Sequence, residues 1–246
     1  MLTELSINKI RWIRSLHDKK SRDSEGLYLI EGEKMVEEAL STRPELIHTL
    51  IELKGPKQRE IAFQGDYYSC TEKQLNQLST LKTPNKILAV VRKAADPSID
   101  LDGLILALDG IQDPGNLGTI MRIADWFGIQ QIICSKDTVD CYNPKVVQAS
   151  MGAILRVSLN YSDLEKVLST YTGKIYGAFL EGNSIYTEQL SPTGIVILGN
   201  EGKGIRKEVS QFITDQIHIP SFGGAESLNV SVAAGIIVSE FKRRFN

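Results

Sequence analysis

Two kinds of apolar spacing alternate along this chain of 246 residues. In the first third, apolar positions recur every three or four residues across Leu5 to Leu16, Glu33 to Leu40 and Thr71 to Leu78, which predicts helices with one buried face. Between them, Gly26 to Glu31, Leu46 to Leu53 and Ile87 to Val91 read as strands. From residue 104 onward the strands become short continuous apolar runs, near 104–108, 130–134, 153–157, 174–179, 195–198 and 216–219. Runs of that kind mark strands buried on both faces. Their alternation with helical stretches predicts an α/β fold with a mostly parallel sheet.

The two regimes meet at Lys93 to Asp102, KAADPSIDLD, a polar stretch containing Pro97. The expected division is a smaller α/β/α domain over residues 1–95 and a larger domain over 103–246. A hydrophobic content of 42% supports a sizeable core, and no apolar run has the length of a membrane span. Met1-Leu2-Thr3-Glu4 does not open like a secretory leader. The three cysteines, Cys70, Cys134 and Cys141, form no C-x-x-C pair and fit free thiols in a reducing cytoplasm. His17, His48 and His218 are scattered, so neither a metal site nor a histidine-based triad is expected.

The net charge of −2 conceals a split. Residues 1–95 carry 16 Lys and Arg against 13 Asp and Glu, whereas residues 96–246 carry 12 against 17. The densest basic cluster is Lys9, Arg11, Arg14, Lys19, Lys20 and Arg22, with Trp12 among them. Basic side chains beside an aromatic suit phosphate contacts and base stacking, and the cluster is equally compatible with a solvated helix face.

Three later segments concentrate candidate chemistry. Leu104 to Leu108 is an apolar strand broken by Asp113-Pro114-Gly115, after which Asn116 is placed to cap a helix. On that helix Leu117, Ile120, Ile123, Ala124 and Phe127 share an apolar face, and Arg122 points elsewhere. Ile195 to Ile205, IVILGNEGKGI, is a strand emptied into a glycine-rich loop holding one carboxylate, Glu201. It lacks the G-x-G-x-x-G of a dinucleotide fingerprint and the Gly-Lys-Ser/Thr of a phosphate loop. Ile219 to Ile237 runs from a strand end through Gly-Gly and Ser-Leu-Asn into a helix whose stripe is Val230, Ala233, Ala234, Ile237 and Phe241. Ser227 and Asn229 therefore stand at a helix start. All three segments follow strand ends, where parallel sheets hold their ligands.

Together the three segments resemble the SpoU (TrmH-type) branch of the SPOUT methyltransferases, which methylate RNA ribose 2′-hydroxyls. The pattern N-x-G-x-x-x-R matches Asn116, Gly118 and Arg122. A strand ending in Gly-x-Glu-Gly matches Gly199, Asn200, Glu201 and Gly202. Ile-Pro followed by Ser-Leu-Asn-Val-Ser matches Ile219-Pro220 and Ser227 to Ser231. The match runs over roughly residues 104–244 and includes Asn143 to Ala153 as a middle segment. Residues 1–95 resemble the L30e-like substrate-binding domain often fused before such catalytic domains, most clearly at Gly26 to Leu40.

The resemblance implies a knotted C-terminal trefoil, a homodimer and S-adenosylmethionine as methyl donor. Leu198, Gly199, Asn200, Gly202, Ile219, Pro220 and Leu228 would contact that cofactor. Arg122, Asn116, Glu201, Ser227 and Asn229 would form the catalytic set. A guanidinium stays protonated in proteins, so Arg122 reads as a clamp on phosphate and developing alkoxide rather than a free base. Asn116 and Asn229 would orient Arg122 and the ribose. Ser227 would hold substrate or cofactor, and Glu201 would pair with Arg122 or accept a proton through water. Lys9, Arg11, Arg14, Lys19 and Arg22 would bind RNA. The fused domain favours ribosomal RNA, often a guanosine, over transfer RNA. The alternatives are a non-catalytic RNA-binding or ribosome-assembly protein on the same scaffold, and a nucleotide-cofactor oxidoreductase, which the missing G-x-G-x-x-G disfavours.

Overall fold

The structure is a computed structural model that describes residues 3–55, 63–94 and 98–245. Met1, Leu2 and Pro97, used above for the leader and the linker, lie outside the described residues. The chain divides into two compact units, Met1–Ala95 with Tyr142–Leu155, and Asp96–Cys141 with Arg156–Asn246. Segment 142–155 thus groups with the first unit, although position in the sequence assigned it to the second. The reason is packing: Val147 and Leu155 join the apolar cluster built on the first sheet.

The first unit contains β1 (Thr3–Glu4), α1 (Ile7–Ser15), α2 (Lys19–Glu25), β2 (Leu27–Glu31), α3 (Glu33–Thr42), β3 (Ile47–Leu53), β4 (Asp66–Cys70), α4 (Glu72–Leu78) and β5 (Ile87–Arg92). Its sheet runs β1-β4-β3-β5-β2. Side chains alternate across a strand, and here the alternation serves two cores. Leu27 and Leu29 face Ile10, Ile13, Leu75 and Leu78 from α1 and α4. Tyr28 and Ile30 face Met35, Val36 and Ala39 from α3. Helices therefore cover both faces. Helix α4 starts at a reciprocal cap in which Thr71 accepts from the Gln74 N–H and Gln74 accepts from the Thr71 N–H. Helix α2 and strand β4 were not predicted. KKSRDSE has no apolar periodicity, and DYYSC is a mostly half-buried strand without an apolar run.

The second unit begins with β6 (Leu104–Asp109), α5 (Pro114–Trp126) and β7 (Gln131–Ser135). After α6 (Pro144–Ser150), which belongs to the first unit, it continues with β8 (Ser158–Ser162), α7 (Leu164–Thr170), β9 (Ile175–Ser184), β10 (Gly194–Gly199), α8 (Lys207–Ser210), β11 (Asp215–His218) and α9 (Val230–Phe245). Its six strands are ordered β11-β9-β10-β6-β7-β8, and every pairing is parallel. The strand expected at 153–157 is instead a 3-10 turn at Ala153–Leu155, with the strand beginning at Ser158. Met151 and Gly152 both adopt positive φ there, which turns the chain before an extended run can form.

Strands β6 and β10 lie side by side at the centre, with Leu108 opposite Leu198 and Asp109 opposite Gly199. From β6 the sheet grows through β7 and β8; on the other side of β10 lie β9 and β11. The order reverses between β6 and β10. Loops leaving their carboxyl ends diverge and open a crevice there. Helix α9 is held on the sheet by Phe241 against the fully buried Tyr176, edge to face at 5.0 Å.

Candidate active site

Helix α5 starts at the crevice. Its cap is Asp113, whose carboxylate accepts from the Asn116 N–H at 2.8 Å, with Pro114 in the first turn. Sequence reasoning made Asn116 the cap; the true start is three residues earlier, because proline fits a first helical position that needs no N–H donor. Asn116 therefore lies inside the first turn, 9% exposed. Its amide is available to bridge loops.

It bridges two. Asn116 Nδ2 donates to Glu201 Oε1 at 2.9 Å, and Asn229 Nδ2 donates to Asn116 Oδ1 at 2.9 Å. Asn229 Oδ1 in turn accepts from the Ser231 N–H at 2.9 Å and the Ser231 hydroxyl at 2.6 Å, which caps α9. Both ends of the Asn116 amide are engaged, so its orientation is fixed by its neighbours. Glu201 is an acceptor in this chain, and its Oε2 also accepts from Asn200 at 3.4 Å. Motifs separated by 85 and 113 positions meet in one relay.

The loop carrying Glu201 closes on itself. Asn200 Oδ1 accepts from the N–H groups of Gly202 and Lys203, both at 3.0 Å, and the backbones of Asn200 and Gly204 exchange hydrogen bonds. At the neck, a Cβ on Gly199 would stand 2.3 Å from the Gly204 carbonyl carbon and from the Ile205 nitrogen. Only glycine permits that approach. Two contacts tie the loop to β6: Asn200 Nδ2 donates to the Gly110 carbonyl at 2.7 Å, and Arg206 engages the buried Asp109. Bonding to Asp109 holds Arg206 further toward its charged form, and a hydrogen bond from Ser135 holds the neighbouring Asp137 below the usual carboxylate range. Sequence reading missed Asp109 and Arg206, and it gave Ser231 a place in the third motif without a role. A carboxylate ending a buried apolar strand was a visible signal for Asp109. Arg206, in a basic run, offered none.

The remaining expected site residues are placed differently from one another. Leu198 is buried, Gly199, Ile219 and Pro220 are half-buried at strand ends, and Gly202 is exposed. Ser227 and Leu228 are exposed in the segment before α9, and Ser227 makes no hydrogen bond among the described residues. Arg122 lies on the exposed face of α5 and makes no hydrogen bond or ion pair among the described residues. The expected Arg122–Glu201 pair is therefore absent, as is orientation of Arg122 by Asn116 or Asn229. Arg122 stands six positions along the helix from Asn116, which puts the two on different faces.

In the first unit, Lys9 pairs with Asp66 at 3.1 Å and its ammonium sits 4.2 Å from the Trp12 ring centre. Arg11 and Arg14 are exposed, and Lys19 pairs with Asp23 at 2.8 Å. Arg22 corrects its expected role. It is 2% exposed, and its guanidinium donates to the carbonyls of Leu16 and His17. Those acceptors close the α1–α2 turn, so Arg22 is a structural residue rather than an RNA contact.

Among the described residues no group of three or more His, Cys, Asp or Glu side chains could hold a metal ion, and no helix is long and apolar enough to cross a membrane. Between Pro220 and α9 the chain exposes two large apolar side chains, Phe222 at 97% and Leu228 at 47%.

Comparison with known proteins agrees with this geometry. Residues 103–239 match the SpoU rRNA Methylase family, and residues 8–89 match the MRM3-like substrate binding domain. The chain is 31% identical to the 23S rRNA (guanosine(2553)-2′-O)-methyltransferase RlmP of Bacillus subtilis, over 94% of each chain. Among solved structures, a TrmH-family protein from Porphyromonas gingivalis superimposes with a TM-score of 0.87 at 38% identity, covering 98% of this chain and all of that one. An AdoMet-bound rRNA methyltransferase from Sinorhizobium meliloti superimposes with a TM-score of 0.88 at 28% identity, covering 100% and 98%.

Proposed function

This chain belongs to the SpoU rRNA methylase family, and on that premise we propose that it methylates a ribose 2′-hydroxyl of ribosomal RNA, at a guanosine, in the cytoplasm. The observation that carries the reading is the Glu201–Asn116–Asn229 relay, which brings all three motifs to the crevice between β6 and β10. S-adenosylmethionine, bound there against Leu198, Gly199, Ile219, Pro220 and Leu228, would supply a methyl group on a positively charged sulfur. The guanosine preference rests on the specificity named for the Bacillus subtilis relative.

The residues of the chain would do the rest. A ribose hydroxyl is a poor nucleophile until its proton leaves. Glu201, held as an acceptor by Asn116, has lone pairs remaining to take that proton through a water molecule. Arg122 would hold the adjacent phosphate and the oxygen as negative charge grows on it, a contribution of about 3–4 kcal/mol to the barrier. Its position on an exposed face, in line with the 85% exposed Trp126 one helical turn on, supports a homodimer in which Arg122 completes the site of the second copy. The knotted threading of the family is part of the same proposal. Arg11 and Arg14 would meet RNA phosphates.

The test is transfer of labelled methyl from S-adenosylmethionine into ribosomal RNA, offered naked and as particles, followed by mapping of ribose methylation. Arg122→Ala should fold with wild-type stability, within about 0.5 kcal/mol, since the side chain is exposed and has no partner among the described residues of the protomer. It should transfer methyl groups about 100- to 1,000-fold more slowly. Light scattering should find two copies. RNA binding without transfer by the wild-type protein would overturn the catalytic reading.

A further inference from the structure

Glu201 reaches Asn116 from a loop in which Glu201, Gly202, Lys203 and Gly204 all face solvent. The Asn200 turn and the Asn200–Gly204 bridge make this loop a stiff ring, but those bonds are internal. They would survive if the whole ring pivoted at Gly199. Its place over the sheet depends on what ties it down.

The tie at its far end is a single buried carboxylate. Asp109, the last residue of β6, has a fully buried side chain. Its Oδ2 accepts from the Arg206 backbone N–H at 2.7 Å, and its Oδ1 accepts from Arg206 Nε at 2.7 Å and lies 2.5 Å from Nη2. Arg206 Nη1 also stands 3.6 Å from Asp137. In the strand register Asp109 is opposite Gly199, where the ring begins. Pairing with β6 thus fixes the start of the ring, and the Asp109 side chain fixes its end. The end of β6 is itself held to the end of β7, because the Gly110 N–H donates to Ser135 Oγ at 2.8 Å.

We infer that Asp109 and Arg206 are positioning residues for methyl transfer: their clasp sets the height of the 199–206 ring above the sheet, and with it the location of Glu201 and of the backbone facing the cofactor. A planar guanidinium on a carboxylate is a directional joint, stiffer than a lysine contact. Neither residue touches the reacting atoms. Their effect passes through the ring.

The inference rests on the methyltransferase reading, so S-adenosylhomocysteine binding by the wild-type protein is measured first, by calorimetry. Arg206→Ala, Arg206→Lys and Asp109→Asn are then compared at a temperature where circular dichroism shows the wild-type fold. Arg206→Ala should bind S-adenosylhomocysteine roughly tenfold more weakly and turn over about 100-fold more slowly at saturating donor. Backbone amides of 200–205 should exchange faster with deuterium, while those of β6 and β10 stay protected. Arg206→Lys should recover part of each loss, since it keeps a charge on Asp109 without the fork. A purely structural clasp would lower the melting temperature and leave affinity, turnover and ring exchange unchanged in the folded variant; that result overturns the inference. If Arg206→Ala does not fold, unchanged values in Arg206→Lys overturn it equally. Should the wild-type protein bind no S-adenosylhomocysteine, the methyltransferase reading fails, and exchange at 200–205 still decides the clasp.

Discussion

Asn229 Nδ2 donates to Asn116 Oδ1 at 2.9 Å, joining the starts of two helices 113 residues apart. Each partner has a second obligation, Asn116 to Glu201 and Asn229 to Ser231. The pair should therefore behave as a coupled unit. Asn116→Ala and Asn229→Ala should each lose about 1–3 kcal/mol of stability, because each leaves polar groups without partners. The double variant should lose less than the sum, with a coupling of about 0.5–3 kcal/mol in urea denaturation. Strict additivity would show that the relay does not persist in solution.

Gly199→Ala should be poorly tolerated. Its methyl would meet backbone atoms of Gly204 and Ile205, which cannot rotate away as a side chain end could. A loss of about 1–3 kcal/mol is expected, with the 200–204 loop displaced and methyl transfer abolished. Gly202→Ala is the control: a Cβ there has only Asn200 Oδ1 nearby, at 3.8 Å.

Arg22 and its basic neighbours should separate cleanly. Arg22→Ala removes the buried donor to two carbonyls and should destabilise the first unit by about 1–3 kcal/mol. Arg11→Ala and Arg14→Ala should leave the melting temperature unchanged and weaken RNA binding. Each should reduce the slope of log affinity against log salt by about 0.7 to 1. Filter binding across a salt series measures both.

Glu240 predicts an acid-sensitive C-terminus. Hydrogen bonds from Arg243 and then Arg244, at 2.7–2.8 Å, lower its pKa from the ordinary 4.5 to about 2. Arg244 also donates to the carbonyls of Ile185 and Glu188, which ties α9 to the turn after β9. A depressed folded-state pKa stabilises above the unfolded value and is lost as pH falls through the folded one. The stability difference between the wild-type protein and Glu240→Gln should be full above about pH 5 and shrink toward pH 2. A difference constant across that range would contradict the assignment.

The apolar runs alone located β6, β7, β10 and β11 within a residue of each end, because a strand buried on both faces leaves little room for another reading; β9 begins where expected and runs on to Ser184 through exposed polar positions that carry no apolar signal. The 153–157 run misled, since a single 3-10 turn packs its Ile154 and Leu155 into the first unit's core. The resemblance to the family's three motifs singled out Asn116, Glu201 and Asn229, and the apolar pattern placed each near a strand end or a helix start. Their mutual bonding, by contrast, depends on strand order: only the reversal between β6 and β10 brings loops 85 residues apart within 2.9 Å. The same holds for Arg22, identical in letter to Arg11 and Arg14 yet turned inward by two carbonyls. Local sequence determines which face of an element is apolar and where it starts; which polar groups then meet is a property of the packed chain, because hydrogen bonds act over 3 Å and their partners are chosen by topology.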